Sequence, residues 1–194
     1  THLPLAGDRQ MRMNDVSSAM MQRMWSPWRS EYVEGAARRT PSDAEPSLFK
    51  QLEQEGQDEA NLILWRGEHV FVIMNRYPYN NGHLLIVPYR EVQAYDALHP
   101  EEQVAIAHAT DRCIRWLRHA LQPDGFNVGM NLEDGSGAGI PEHLHTHVVP
   151  RWNGDTNFMT TTAETRVLPE TLSKTYDRLQ AAIEAVGDAP SASQ

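Results

Sequence analysis

Between residues 143 and 149 the sequence reads HLHTHVV, and every second position from 143 to 147 is a histidine. A β-strand is the regular backbone that puts positions i, i+2 and i+4 on one side, because its successive side chains point to opposite faces of a sheet. His143, His145 and His147 then line up on one face, while Leu144, Thr146 and Val148 lie on the other, with Leu144 and Val148 marking it as buried. A chain carrying this segment has to build a sheet with one apolar side and one functional side. The other elements have to serve that arrangement.

The remaining sequence supplies them. The runs NLILWRG (61–67) and HVFVIMN (69–75) predict two strands joined by a tight hairpin at Gly67-Glu68. YPYNNG (77–82) is turn chemistry, HLLIVPY (83–89) a short apolar strand, and FNVGMN (126–131) an alternating one. The spacing predicts a short helix in PSLFKQLEQEG (46–56), capped by Ser47 and ended by Gly56. A long helix is predicted over 99–122, with Val104, Ala107, Ile114, Leu117 and Leu121 on its apolar face and two acids at its start, where they suit the helix dipole. A last helix is predicted over 169–186. EDGSGAGIP (133–141) is a Gly-rich loop leading into the histidines. The expected organisation is a flexible N-terminal arm at 1–23, a single domain over 24–186 and a disordered tail at 187–194. Within the domain, MWSPWRSEYV (24–33) carries enough aromatic surface to dock on the core.

Composition excludes several classes. A net charge of −9, with no basic run beyond Arg38–Arg39, opposes nonspecific nucleic-acid binding. No run of about 18 apolar residues exists for a membrane span. No secretory signal is visible, and the single Cys113 precludes an intrachain disulfide, which agrees with a cytoplasmic location.

The histidine row admits three readings: side chains with no task, a metal site, or nucleophilic and acid/base chemistry. The row spans roughly 13 Å, too far for one metal with bonds near 2 Å to take all three. Two of them with His83 remain as a ligand set, although no Cys or paired acids stand nearby. A neutral imidazole is a good nucleophile, and neighbouring histidines can fix its tautomer and donate protons. The glycines before the row allow backbone N–H groups to converge on phosphate oxygens. Together these suggest a phosphate held beside a nucleophilic imidazole, hence nucleotidyl transfer.

These residues resemble a known family. HLHTHVV matches the His-x-His-x-His-x-x signature of the histidine triad (HIT) superfamily, with Thr146 a departure among otherwise apolar x positions. IMNRYPYNNGHLLIVPYR (73–90) is similar to its second hallmark, an Asn-Arg-x-Pro turn followed by a Gly-His strand. The galactose-1-phosphate uridylyltransferase branch has Pro and Gln where this chain has Leu144 and His147. WSPWRSEYV, GAGIPEHLHTHVVPRW and NGDTNFM look instead like the bacterial diadenosine tetraphosphate phosphorylases.

The resemblance implies an α+β fold, with about five antiparallel strands and helices packed on one side, and a homodimer or larger homo-oligomer. It implies a nucleotide substrate with inorganic phosphate as second substrate, no prosthetic group, no protein-bound metal, and a divalent cation such as Mg accompanying the polyphosphate. By the same resemblance His145 is the nucleophile that becomes adenylylated, and His143 orients it. His147 contacts phosphate oxygens and assists the leaving group, and His83 completes the hydrogen-bond array. Asn75 is implied at the ribose and Asn131 on the phosphates. Gly137, Ala138 and Gly139 are implied as backbone donors, Arg151 as a phosphate counter-charge and Trp152 at the nucleotide's border. Glu133 and Asp134 depart from a site built for polyphosphate and leave the acceptor open between phosphate and water. A hydrolase of dinucleoside polyphosphates or nucleoside phosphoramidates is the alternative enzyme. A nucleotide-binding protein without turnover is the rival from another class.

Overall fold

The computed structural model of the chain describes residues 46–155 and 170–188. The expected arm at 1–23 and the aromatic segment at 24–33 lie outside these residues, as do residues 189–194 of the expected tail.

Five antiparallel strands form one sheet: β1 (Ile63–Arg66), β2 (Val70–Met74), β3 (Leu84–Pro88), β4 (Gly125–Met130) and β5 (Thr146–Arg151). Their spatial order is β1-β2-β3-β5-β4. Among the described residues four α-helices accompany them: α1 (Leu48–Gln54), α2 (Asp58–Asn61), α3 (Pro100–Leu121) and α4 (Leu172–Ala185). The β1–β2 turn closes with Gly67 N–H donating to the Val70 carbonyl at 2.8 Å, so its tip is Glu68-His69, one residue beyond the expected pair.

The central strands are buried along their whole length, which is why VFVIM and LLIVP read as continuous apolar runs rather than alternating ones. Val70, Val72, Met74, Leu84 and Ile86 face one core with Leu144 and Val148, completed by Cys113, Trp116 and Leu117 of α3 and Leu179 and Ile183 of α4. Phe71, Ile73, Leu85 and Val87 face a second, smaller core with Phe49 and Ile140. The expectation of helices on one side is therefore corrected: α3 and α4 cover one face, whereas α1 lies against the other through Leu48, Phe49 and Leu52.

The apolar face of α3 also differs from the expected one. Its buried stripe runs through Ile106, Ala109, Cys113, Trp116 and Leu117, while Val104 is 57% exposed. The stripe is rotated from the predicted one because Ala109 and Cys113, small residues that suit either environment, face the sheet. Glu102 is buried at the start of α3. It accepts from the His99 backbone N–H at 2.8 Å and from Arg90 at 2.6 Å, which keeps its carboxyl below the ordinary pKa despite burial.

The first residues of the expected tail belong to the fold. Asp188 accepts from Trp116 Nε1 at 2.9 Å and pairs with Arg112 and Arg115, tying the end of α4 to α3.

Candidate active site

The site grows from the strand that carries the histidines. β5 begins at Thr146, so only His147 of the three lies within the regular ladder, opposite Leu85 of β3 and Gly129 of β4. The predicted strand start at 143 is thus corrected. Residues 143–145 keep the alternation without the pairing: Leu144 and Val148 enter the larger core, while His145 and His147 line a cavity on the opposite side. Leu144 N–H donates to the Val92 carbonyl at 2.6 Å, which holds the segment extended.

His145 is 7% exposed, and its Nδ1 lies 2.9 Å from the His143 carbonyl oxygen. A carbonyl only accepts, so Nδ1 bears the hydrogen and Nε2 keeps its lone pair. Burial lowers the His145 pKa below its ordinary value, against the opposing pull of that carbonyl. The ring is therefore neutral near neutral pH.

His147 has the opposite tautomer. Tyr79 backbone N–H donates to His83 Nδ1 at 3.1 Å, so that nitrogen is an acceptor. His83 Nε2–H then donates to His147 Nδ1 at 2.9 Å. The hydrogen of His147 is left on Nε2, the atom 3.5 Å from the Asn131 amide nitrogen; a half-turn of that amide brings its oxygen there instead. Two rings with centroids 4.9 Å apart thus carry a lone pair on one Nε2 and an N–H on the other. That pairing is what an attack on phosphorus with protonation of a leaving oxygen requires.

His143 sits behind them, fully buried. Its Nε2–H donates to the Pro88 carbonyl at 2.8 Å, and its Nδ1 accepts from the Ser47 hydroxyl at 2.6 Å. Burial lowers its pKa as well. Phe49 of α1 presents an edge to His143 and His145, at centroid distances of 5.7 and 5.1 Å.

The cavity in front of His145 and His147 holds about 250 Å³. Its wall follows one row across the sheet: Ile73, Leu85 and His147 are successive partners on β2, β3 and β5. Among the described residues no group of three His, Cys, Asp or Glu side chains is placed to hold a metal ion.

Comparison with known proteins agrees with this geometry. A family model, HIT domain, matches residues 55–154. The chain is 42% identical over 158 residues to an AP-4-A phosphorylase from Mycobacterium tuberculosis, covering 80% of each. It is 31% identical over 94 residues to a bis(5'-adenosyl)-triphosphatase from Saccharomyces cerevisiae, covering 46% of this chain and 44% of that one. Among solved structures, a Zn-bound histidine triad family protein from Mycobacterium smegmatis shares the fold, with TM-score 0.60 and 24% identity over 74% of this chain and 97% of that one.

The chain belongs to the HIT family.

Of the residues singled out in the sequence, this HIT fold brings His145, His147, Asn75, Asn131, Gly137 and Gly139 to the cavity wall. His143 and His83 stand behind it as partners of those rings. Asn75 also holds a turn, its Oδ1 accepting from Tyr77 N–H at 2.9 Å and its amide nitrogen lying 3.3 Å from His83 Nδ1.

Ala138, Arg151 and Trp152 are not on the cavity wall. Arg151 shares a strand face with His147 but lies four residues on, roughly 13 Å along the strand. There Asp155 takes its guanidinium at 2.6 and 2.8 Å and Asn127 at 2.7 Å, and the arginine holds the Asp155 carboxyl well below the usual carboxylate range. Trp152 is carried past the site with it.

Two residues escaped the sequence reading. Tyr79 stacks on His147 at 16° and 5.7 Å besides fixing the His83 tautomer, yet it reads as part of a turn. Ser47 reads as a helix cap, which it is, accepting from Lys50 N–H at 3.2 Å; its contact with His143 spans 96 residues and leaves no local signal.

Proposed function

We propose that this HIT protein is a nucleotidyltransferase that cleaves diadenosine tetraphosphate with inorganic phosphate to give ADP and ATP. The observation that carries the reading is the tautomer pair. His145 Nε2 attacks the α-phosphorus and forms a P–N bond as the bond to the bridging oxygen breaks. His147 Nε2–H protonates that oxygen, and ATP leaves. Phosphate then attacks the adenylyl phosphorus and passes its proton back to His147 Nε2, the P–N bond breaks, and ADP departs with both histidines restored. Asn131, Gly137 and Gly139 line the same cavity, and in this reading their amide groups donate to the phosphate oxygens. The named activity of the M. tuberculosis relative supports phosphate as acceptor. A divalent cation such as Mg²⁺ would travel with the polyphosphate.

The second reading keeps the same intermediate and uses water as acceptor, giving AMP and ATP. The similarity to the yeast triphosphatase supports it. Incubation with diadenosine tetraphosphate, with and without phosphate, separates the two. ADP and ATP formed only with phosphate establish phosphorolysis; AMP without it establishes hydrolysis. His145→Ala lowers either activity by at least about a thousandfold, and retained activity would refute the mechanism.

We further propose that the protein works in the cytoplasm, the compartment where a lone thiol such as buried Cys113 is usual, and as a homodimer or larger homo-oligomer. Among the described residues β4 is one of the two outer strands of the sheet, and Val128 on it is 47% exposed. An open edge with an exposed large apolar side chain favours pairing with a second copy. Val128→Arg is expected to shift the sedimentation coefficient from that of a dimer to that of a monomer at micromolar concentration.

A further inference from the structure

Asn61 ends α2, just before β1, and is 7% exposed. It lines the same cavity as His145 and His147, together with Leu48, Leu52, Ile73 and Arg76, the last donating to the neighbouring Ala60 carbonyl at 3.4 Å. Both hydrogens of its amide nitrogen have acceptors: the Leu52 carbonyl at 3.0 Å and Glu55 Oε2 at 2.7 Å. Two acceptors on one end of an amide settle which end is nitrogen, because the oxygen placed there would meet lone pairs. The Asn61 Oδ1 is therefore a fixed acceptor. Among the described residues it accepts no hydrogen bond. It is not enclosed: among the described residues Thr146 Oγ1 is the one fully buried side-chain polar atom without a partner, so Asn61 Oδ1 opens to the cavity, where a bound ligand must offer it a donor in place of solvent.

The distance fits a nucleotide. Asn61 stands beside β1, and His147 is on β5, three inter-strand steps away, or roughly 14 Å. That is the reach of a nucleotide extended from its α-phosphorus to the far edge of its base, with a contact at each end. Adenine presents an exocyclic N–H donor at that edge, hypoxanthine and guanine a carbonyl acceptor.

We infer that Asn61 is the base-selecting residue of this site, its Oδ1 accepting a hydrogen bond from the 6-amino group of adenine. The inference rests on the reading that the cavity takes a nucleotide. A 6-oxo purine sets two acceptors against each other, and a purine with no 6-substituent leaves Oδ1 unpaired. Either mismatch is expected to weaken binding about 10- to 100-fold, the range for a site whose polar group is left without its partner.

The test is calorimetric titration of the whole protein with AMP, IMP and purine riboside 5′-monophosphate. AMP binding 10-fold or more tighter than both others supports the assignment; equal affinities overturn it. Asn61→Ser and Asn61→Ala are then titrated alongside, with circular dichroism to verify folding. If Asn61 selects the base, the AMP-to-purine-riboside affinity ratio falls toward one in these variants. If Asn61 only links α1 to α2, both affinities fall together and the ratio stays, which overturns the inference. Absence of AMP binding by the unmodified protein overturns the nucleotide reading itself.

Discussion

At the scale of single residues the active histidines are set by their hydrogen-bond partners. His145 is aimed by one backbone carbonyl and His147 by a donor chain starting at the Tyr79 N–H. The nucleophile works only as the neutral ring. Its pKa lies below the ordinary 6.5 because burial penalises the imidazolium. Lowering the pH thus protonates it late, and the acid limb of kcat/KM is expected to fall with an apparent pKa below 6.5, measurable in steady-state kinetics. A limb at or above that value would contradict the buried, carbonyl-bonded ring. Thr146, between the two rings in sequence, is 3% exposed, and its hydroxyl has no partner among the described residues. Thr146→Val keeps the shape and removes the orphaned group. It is expected to raise stability by about 1 kcal/mol, read from urea unfolding, with activity preserved. The alternation of these residues was legible from sequence, since period two is a local property. The tautomers of His143 and His147 were not, because they depend on Pro88, Ser47 and Tyr79, distant or outwardly ordinary residues; that of His145 rests on a carbonyl only two residues away, but nothing local says that the ring turns back to it.

At the scale of elements, the turn before β3 carries His83 into place. Gly82 has φ +76°, and a Cβ there would sit 2.4 Å from Leu121 Cδ1 and 2.9 Å from Leu117 Cδ2. Gly82→Ala combines left-handed backbone strain with a collision against α3. A loss of about 2–4 kcal/mol in chemical denaturation is expected, with reduced kcat as His83 shifts. A loss under about 0.5 kcal/mol would show that α3 yields freely. The long helix illustrates the limit of periodicity. Its existence and length were plain, and Pro100 with Glu102 marks its start. Its buried face was misplaced because Ala109 and Cys113 are compatible with either side, and the large Trp116 alone does not locate a stripe.

At the scale of the whole molecule, α3 and α4 form one layer against the sheet, and Asp188 locks them at the chain's far end. Asp188→Ala leaves the indole N–H of fully buried Trp116 without its acceptor and Arg112 without its carboxylate. A destabilisation of about 1–3 kcal/mol is expected, followed by thermal denaturation with Trp fluorescence; an unchanged Tm would show the lock to be idle. The site lies on the other face of the sheet, so this variant is expected to keep its nucleotide affinity at temperatures where it stays folded.

The sequence by itself determined the strands, the long helix, the histidine row and its kinship, because each is written in neighbouring residues by a period of two or 3.6 or by a contiguous motif. Only the tertiary structure decided which histidine nitrogen bears a hydrogen, that α1 closes the cavity from the face opposite α3, and that Arg151 serves Asp155 rather than a phosphate. Those outcomes depend on groups up to 96 residues apart, such as Ser47 and His143. Hydrogen-bond direction is a property of the assembled pair, and neither partner's sequence neighbourhood contains it.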